Sequence, residues 1–193
     1  MVTKTRDKLI EVARQLFVHK GIENTTMNDI ANASDKGRRT IYTYFKNKKE
    51  IYNAVIEKES EQLVSKLREI ADLSLSPKDK LRRFLDVRFD IIRENDSQND
   101  QLMRFFVRDM KRIEKIRRIA SEKEREILKL IIQEGVECGQ FDQQQCGNLD
   151  VVLLMIMQGV DMSYLRDNFV EIGVDKSRFQ NDIINFIIES LKA

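Results

Sequence analysis

The residues in this chain best suited to chemistry sit in one short stretch, SDKGRRTIYTYFKNK, Ser34 to Lys48. Two arginines follow a glycine, threonines and tyrosines come next, and lysines end the run. Placed on a helix at about 100° per residue, Ile41 and Phe45 share one face and Arg39, Thr40 and Thr43 lie opposite. Tyr44 falls on one flank, with Arg38 and Tyr42 on the other. A guanidinium can grip guanine edges in bidentate fashion, threonine can bond or touch a thymine methyl, and tyrosine hydroxyls suit phosphates. The expectation is a base-reading face of Arg38, Arg39, Thr40, Thr43 and Tyr44. A backbone-gripping set of Thr25, Thr26, Lys36, Tyr42 and Lys48 should surround it, using the free amides at nearby helix starts. The alternative is an ordinary amphipathic helix with a solvated basic face.

Other chemistry is thinly represented. The one histidine, His19, gives little support to a metal cluster or to histidine-based catalysis, and no nucleophile–base pair or glycine-rich phosphate loop stands out. No enzyme activity, metal or cofactor is expected. Cys138 and Cys146 flank a turn; they read either as a redox pair or as buried structural thiols. With no signal-like apolar start they favour a reducing cytosol. The longest apolar run, Val151 to Met157, is too short to cross a bilayer.

Charge is unevenly spread along the 193 residues. Residues 1–50 hold eleven Lys/Arg against six acids, and the remainder holds 23 against 26. A basic first quarter on a mildly acidic body points to a polyanion-facing head.

The elements that must position these groups are helices. Leu9, Ile10, Ala13, Leu16 and Phe17 make a helical stripe that Gly21 can close. Thr26 with Asp29, and Asn47 with Glu50, carry capping-box spacing, and Ser76-Pro77-Lys78-Asp79 is a strong helix start. The polar run from Glu94 to Asp100 should end the helix behind Pro77, and a further helix is expected over Leu102, Phe105, Phe106 and Met110. A long charged helix to Gly139 follows. The segment Asn148 to Tyr164 is apolar on nearly all sides, and Phe179 to Leu191 makes a last amphipathic helix. The fold class expected is all-α with about nine helices, divided into a DNA-binding head over 1–47 and a body over 48–193. A tight turn at Asp35 to Gly37 makes the head a helix-turn-helix.

The order GIENTTMNDIANASDKGRRTIYTYFKNKKEIYNAV resembles the DNA-binding head of the tetracycline-repressor (TetR) family of bacterial regulators. The match runs through Gly21, Thr25, Thr26, Ile30, Ala31, Tyr42, Tyr44, Phe45, Lys48 and Glu50. The turn departs from the family's Ala-Gly-Val-Ser, having Ser34-Asp35-Lys36-Gly37 instead; a buried valine becomes lysine and the serine cap becomes glycine. Glycine remains an acceptable cap, and Lys36 can reach phosphate by snorkelling.

One such head makes few base contacts, so a homodimer on a palindromic double-stranded operator is expected. The near-full apolar circumference of the helix over Val151–Met162 needs burial on two sides. Val152, Met155, Gly159, Met162, Ile183, Ile184 and Ile187 are therefore expected at the dimer interface, where the resemblance implies a four-helix bundle with the mate; the alternative is that both helices are core of a single chain. The resemblance also implies a small-molecule inducer cavity in the body, with Phe84, Met103, Phe106 and Met110 as apolar walls and Gln158 and Asp161 as orienting groups. The same residues read equally as core, and Gln158 and Asp161 as a buried polar pair. The function expected is a cytoplasmic repressor released from its operator by an effector. A regulator with no small-molecule effector is the alternative, and a helical enzyme a remoter one.

Overall fold

The computed structural model describes residues 2–97, 110–165 and 168–191. Among these there is no β-strand, and the chain forms α1 (Val2–Lys20), α2 (Met27–Ala33), α3 (Arg38–Tyr44), α4 (Lys48–Ala71) and α5 (Pro77–Ser97). It continues with α6 (Met110–Glu137), α7 (Leu149–Leu165), α8 (Asn168–Glu171) and α9 (Lys176–Ser190). The architecture is all-α. The helix expected over Leu102 to Phe106 lies outside the described residues. The polar run at Glu94 does not stop α5, which continues to Ser97.

Local chemistry sets the boundaries. Gly21 takes φ +80° and its amide donates to the Phe17 carbonyl at 3.1 Å, closing α1 in the left-handed conformation glycine adopts freely. Thr26 caps α2: the Asp29 amide donates to the threonine hydroxyl at 3.1 Å, and the Thr26 amide donates to the Asp29 carboxylate at 2.8 Å. The Thr26 hydroxyl, which also donates to the Asp29 carboxylate at 2.7 Å, and then the Thr26 amide hold that carboxyl below its ordinary range. The Glu50 amide donates to Asn47 Oδ1 at 3.0 Å, opening α4. The Asp79 amide donates to the Ser76 hydroxyl at 3.2 Å, just ahead of Pro77 in α5.

The chain forms two compact units. The first comprises residues 2–61 and 110–117; the second comprises 62–97, 118–165 and 168–191. The first is therefore larger than the head expected over 1–47. The reason is packing: Ile51, Tyr52, Ala54, Val55 and Ile56 of α4 are buried in one core with Leu9, Ile10, Phe17, Ile30, Ile41 and Phe45, and Ile116 of α6 packs on it. Two ion pairs bind α4 to α1, Arg14 to Glu59 at 2.7 Å and Lys58 to Glu11 at 3.4 Å. α4 itself runs on unbroken to Ala71.

The second unit buries Leu81, Phe84, Leu85 and Phe89 of α5 with Ile127, Leu128 and Ile131 of α6, Leu153, Met157 and Val160 of α7, and Ile184, Ile187 and Ile188 of α9. α6 ends in a turn where the Gln140 and Phe141 amides both donate to the Gly135 carbonyl, at 2.8 and 3.1 Å, and Gly139 takes φ +73°. This turn folds the Phe141 ring onto Gly135, leaving no room there for a β-carbon. Gly135→Ala should destabilise this unit by about 1–3 kcal/mol through overpacking, visible as a lowered thermal unfolding midpoint. A wild-type midpoint would show that the ring moves aside freely.

Candidate nucleic-acid interface

The interface is built from α3, a helix of seven residues. Ile41 is fully buried and Phe45 nearly so. These two anchors fix which side of α3 faces out. Arg38, Arg39 and Thr43 are exposed, Thr40 is half-buried, and Tyr42 is 43% exposed. The Arg38 guanidinium lies over the Tyr42 ring, 5.8 Å from its centroid, one turn along the helix. That stacking pre-orders two of the longest side chains on the outer face. The Thr43 hydroxyl donates to the Arg39 carbonyl at 3.1 Å, which leaves its oxygen lone pairs and its methyl group for a partner. Tyr44 is half-buried and packs against the head core, so its ring is a supporting wall for α3 more than a free reading group. Arg6 approaches Phe45 from α1, 5.4 Å from the ring centroid; sequence reasoning missed it because its partner is 39 positions away.

The turn before α3 carries the chain's departures. Asp35 takes φ +55°, the only non-glycine residue among those described with positive φ. Aspartate tolerates that conformation better than most residues, at a modest cost in strain. Its carboxylate lies 3.6 Å from Lys8 Nζ, an exposed pair that adds little. Gly37 takes the N-cap position with no side-chain hydrogen bond to the first turn of α3. Lys36 is half-buried.

Two of the groups expected at phosphates do other work. Thr25 is fully buried, and its hydroxyl donates to the Gly21 carbonyl at 2.8 Å. Its side chain ties the α1–α2 turn, which leaves the hydroxyl engaged within the head. The Lys48 ammonium donates to the Ile22 carbonyl at 2.6 Å and the Glu23 carbonyl at 3.3 Å, joining the start of α4 to the same turn. Thr26 stays exposed.

The expected inducer residues are described only in part. Met103 and Phe106 lie outside the described residues, and Met110 opens α6. Phe84 is fully buried core and Gln158 is half-buried. Asp161 is not a free orienting group. It accepts both terminal nitrogens of Arg88, at 3.1 and 2.7 Å, while Arg88 Nε donates to Glu124 at 2.9 Å. Burial opposes charge on Arg88, but Asp161 and Glu124 more than offset it and hold the guanidinium above its ordinary range. A cleft of about 340 Å³ lies elsewhere, open to solvent, lined by Lys129, Ile132, Val136, Cys146 and Asp150 among others. The Cys146 thiol is pushed up by burial and by Asp142, which disfavours the reactive thiolate. Both cysteines are free.

The residues expected between two chains divide into two sets. Val152, Met155 and Gly159 are exposed on α7, and Met162 and Ile183 are half-exposed. Open space surrounds Gly159. Ile184 and Ile187 are instead buried within their own chain, on the inner face of α9. The outer face of α9 carries Phe186, 73% exposed, which the isoleucine stripe had masked.

A model of the tetR family of bacterial regulatory proteins matches residues 9–55, the span of this head. Among curated proteins, the chain is 33% identical over 139 residues to a probable HTH-type transcriptional regulator, YttP, of Bacillus subtilis, covering 70% of this chain and 66% of YttP. It is 26% identical over 140 residues to the HTH-type transcriptional repressor KstR2 of Mycolicibacterium smegmatis, covering 70% of this chain and 67% of KstR2. Among solved structures, the transcriptional regulator FadR of Bacillus subtilis in complex with stearoyl-CoA shares the fold, with a TM-score of 0.65 at 18% identity over 94% of this chain and 96% of FadR.

Two substitutions separate reading from support. Arg39→Ala should lower affinity by about 1–3 kcal/mol at one base position and relax specificity there, measured against a panel of single-base operator variants; an equal loss across the panel would make Arg39 a phosphate contact. Lys48→Ala should destabilise the head by roughly 1 kcal/mol and weaken all variants alike. A wild-type unfolding midpoint for Lys48→Ala would show that its carbonyl contacts contribute nothing to the fold.

Proposed function

The chain belongs to the tetR family of bacterial regulatory proteins, DNA-binding regulators and not enzymes, and from that premise we propose that it is a sequence-specific repressor released from its operator by a small-molecule inducer. The observation that carries the DNA-binding part is α3. Two buried apolar anchors hold a helix whose opposite face presents Arg38, Arg39, Tyr42 and Thr43. That is the composition and exposure a major-groove helix needs. Arg38, Arg39, Thr40 and Thr43 are assigned to base edges, and Tyr42, Thr26 and Lys36 to the sugar–phosphate backbone.

The operator is proposed to be palindromic because the protein acts as a homodimer. Support comes from the apolar stripe Val152, Met155 and Gly159 on α7 together with Ile183 and Phe186 on α9. A chain that left Met155 66% and Phe186 73% exposed would carry large apolar groups in water. Two recognition helices then meet successive major grooves roughly 34 Å apart. An inducer acts by population shift: bound in the body, it favours a spacing that no longer fits, which requires tighter binding to the DNA-free conformation by about 1–3 kcal/mol. Among the described residues no helix is long and apolar enough to cross a membrane. The operator places the site of action in the cytoplasm.

Selection from a randomised double-stranded DNA pool tests the central reading: the bound fraction should converge on an inverted repeat. Recovery of random sequence would reduce α3 to a nonspecific basic face. Stearoyl-CoA, the ligand of the FadR structure, is the first inducer to try on the selected operator; a regulator controlled without a small molecule would ignore it and every other candidate. The dimer is tested by Met155→Glu with Phe186→Glu. Both positions are exposed in the single chain, so the variant should keep its thermal midpoint, sediment as a monomer and lose at least tenfold in operator affinity. A dimeric variant would place the interface elsewhere.

A further inference from the structure

Hydrophobic burial alone does not determine which side of α7 faces inward. Leu153, Met157 and Val160 are buried, but Val152 and Met155 on the outside are just as apolar. Burial is non-directional and scales with area, so a rotated helix would satisfy it nearly as well. Only two residues of α7 carry charge, Asp150 and Asp161. They are eleven residues apart, about three turns, and so fall within about 20° of one another on one stripe. Each is held by an arginine. Arg125 of α6 donates through Nε to Asp150 at 2.8 Å, and Arg88 of α5 grips Asp161 with both terminal nitrogens. Glu124, next to Arg125 on α6, takes the remaining face of Arg88. Arg88, Glu124 and Asp161 are all almost fully buried. Val152 stands about 180° around the helix from Asp161.

We propose that Asp150 and Asp161, with Arg125, Arg88 and Glu124, form a register lock that fixes the rotation of α7 and so selects Val152, Met155 and Gly159 as the face offered to the partner subunit. The inference rests on the dimer reading above. A bidentate guanidinium–carboxylate pair accepts one planar arrangement. Turning α7 by one residue, about 100°, would pull both carboxylates from their arginines. Buried ion pairs contribute little net stability compared with apolar residues of similar size; their attested use is to specify one arrangement among several. Stability and dimer specificity should therefore come apart when the lock is removed.

The test is the triple variant Arg88→Met, Glu124→Leu, Asp161→Leu, which leaves no charge unpaired. It should keep wild-type helix content and a thermal midpoint at or above wild type. Its dimer dissociation constant, measured by sedimentation, should rise at least tenfold. In a background with Cys138→Ser and Cys146→Ser, Met155→Cys should cross-link between subunits in the locked protein and lose that cross-link in the triple variant. A triple variant that dimerises within twofold of wild type and cross-links as before would overturn the lock. If the triple variant fails to fold, Arg125→Met with Asp150→Asn at the less buried end carries the test: dimerisation should weaken at least threefold in a folded protein, and unchanged dimerisation overturns the proposal. A wild-type protein that is monomeric at every concentration would instead remove the dimer reading, and the lock with it.

Discussion

A helix of seven residues makes too few hydrogen bonds to hold its shape alone, so α3 depends on the burial of Ile41 and Phe45. Everything proposed for the outer face follows from that constraint. With both anchors inward, Arg38, Arg39 and Thr43 have no direction left but outward. The anchors are themselves held by α1 and by the first half of α4, through Leu9, Ile10 and Phe17 on one side and Ile51, Tyr52 and Val55 on the other. The head thus spends most of its apolar residues on orienting a few polar ones. Arg14–Glu59 and Lys58–Glu11 bind the same two long helices along their flank. α4 runs on beyond this core without a break to Ala71, and α6, whose Ile116 packs on the core, runs on to Glu137.

Guanidinium groups serve opposite purposes in the two units. Arg38 and Arg39 are exposed, keep their hydration, and give it up only to a partner. Arg88 is desolvated permanently, and it stays charged because two carboxylates face it. The triad of Arg88, Glu124 and Asp161 carries one more negative than positive charge, so it offers nothing to an anion. The same residue type is therefore an exposed group proposed for recognition on α3 and a geometric constraint on α5. Only burial and the neighbouring carboxylates distinguish the two.

Much of this is legible in the sequence. Caps at Thr26, Asn47 and Ser76 are local, using residues three apart, and each side chain accepts from the amide its spacing implied, although the Glu50 carboxylate returns its bond to Lys46 and not to Asn47. The inward pair on α3 followed from helical period alone. What stayed illegible depends on contacts distant in sequence. Arg88 meets Asp161 across 73 positions, so nothing near Asp161 revealed that its carboxylate was already engaged. Thr25 is expected at phosphate from the free amides at the start of α2, whereas its hydroxyl is engaged by the Gly21 and Leu16 carbonyls in the preceding helix and turn. On α9 the isoleucines at 183, 184 and 187 form one stripe in projection, but the inner face is Ile184, Ile187 and Ile188, and the outer face is marked by a single phenylalanine.

The unusual turn shows how a local departure can be absorbed. Asp35 holds a conformation that glycine would adopt without strain, and Gly37 stands at a cap where a hydroxyl would bond the first turn of α3. Each choice weakens α3 slightly taken alone. Both are tolerable because α3 is not held by its ends. The Ser34 hydroxyl donates to the Ala31 carbonyl at 2.9 Å and is buried there, and the Lys36 amide donates to the same carbonyl at 3.0 Å, so α2 closes firmly whatever follows. Beyond it the anchors Ile41 and Phe45 fix α3 from its middle and its C-terminal end. The first turn of α3, which carries Arg38, Arg39 and Thr40, is closed by the Thr40 and Ile41 amides donating to the Gly37 carbonyl at 2.8 and 3.3 Å. The helix is thus positioned by side chains buried at its middle and its C-terminal end, and the turn before it is free to depart from the usual cap without moving the outer face.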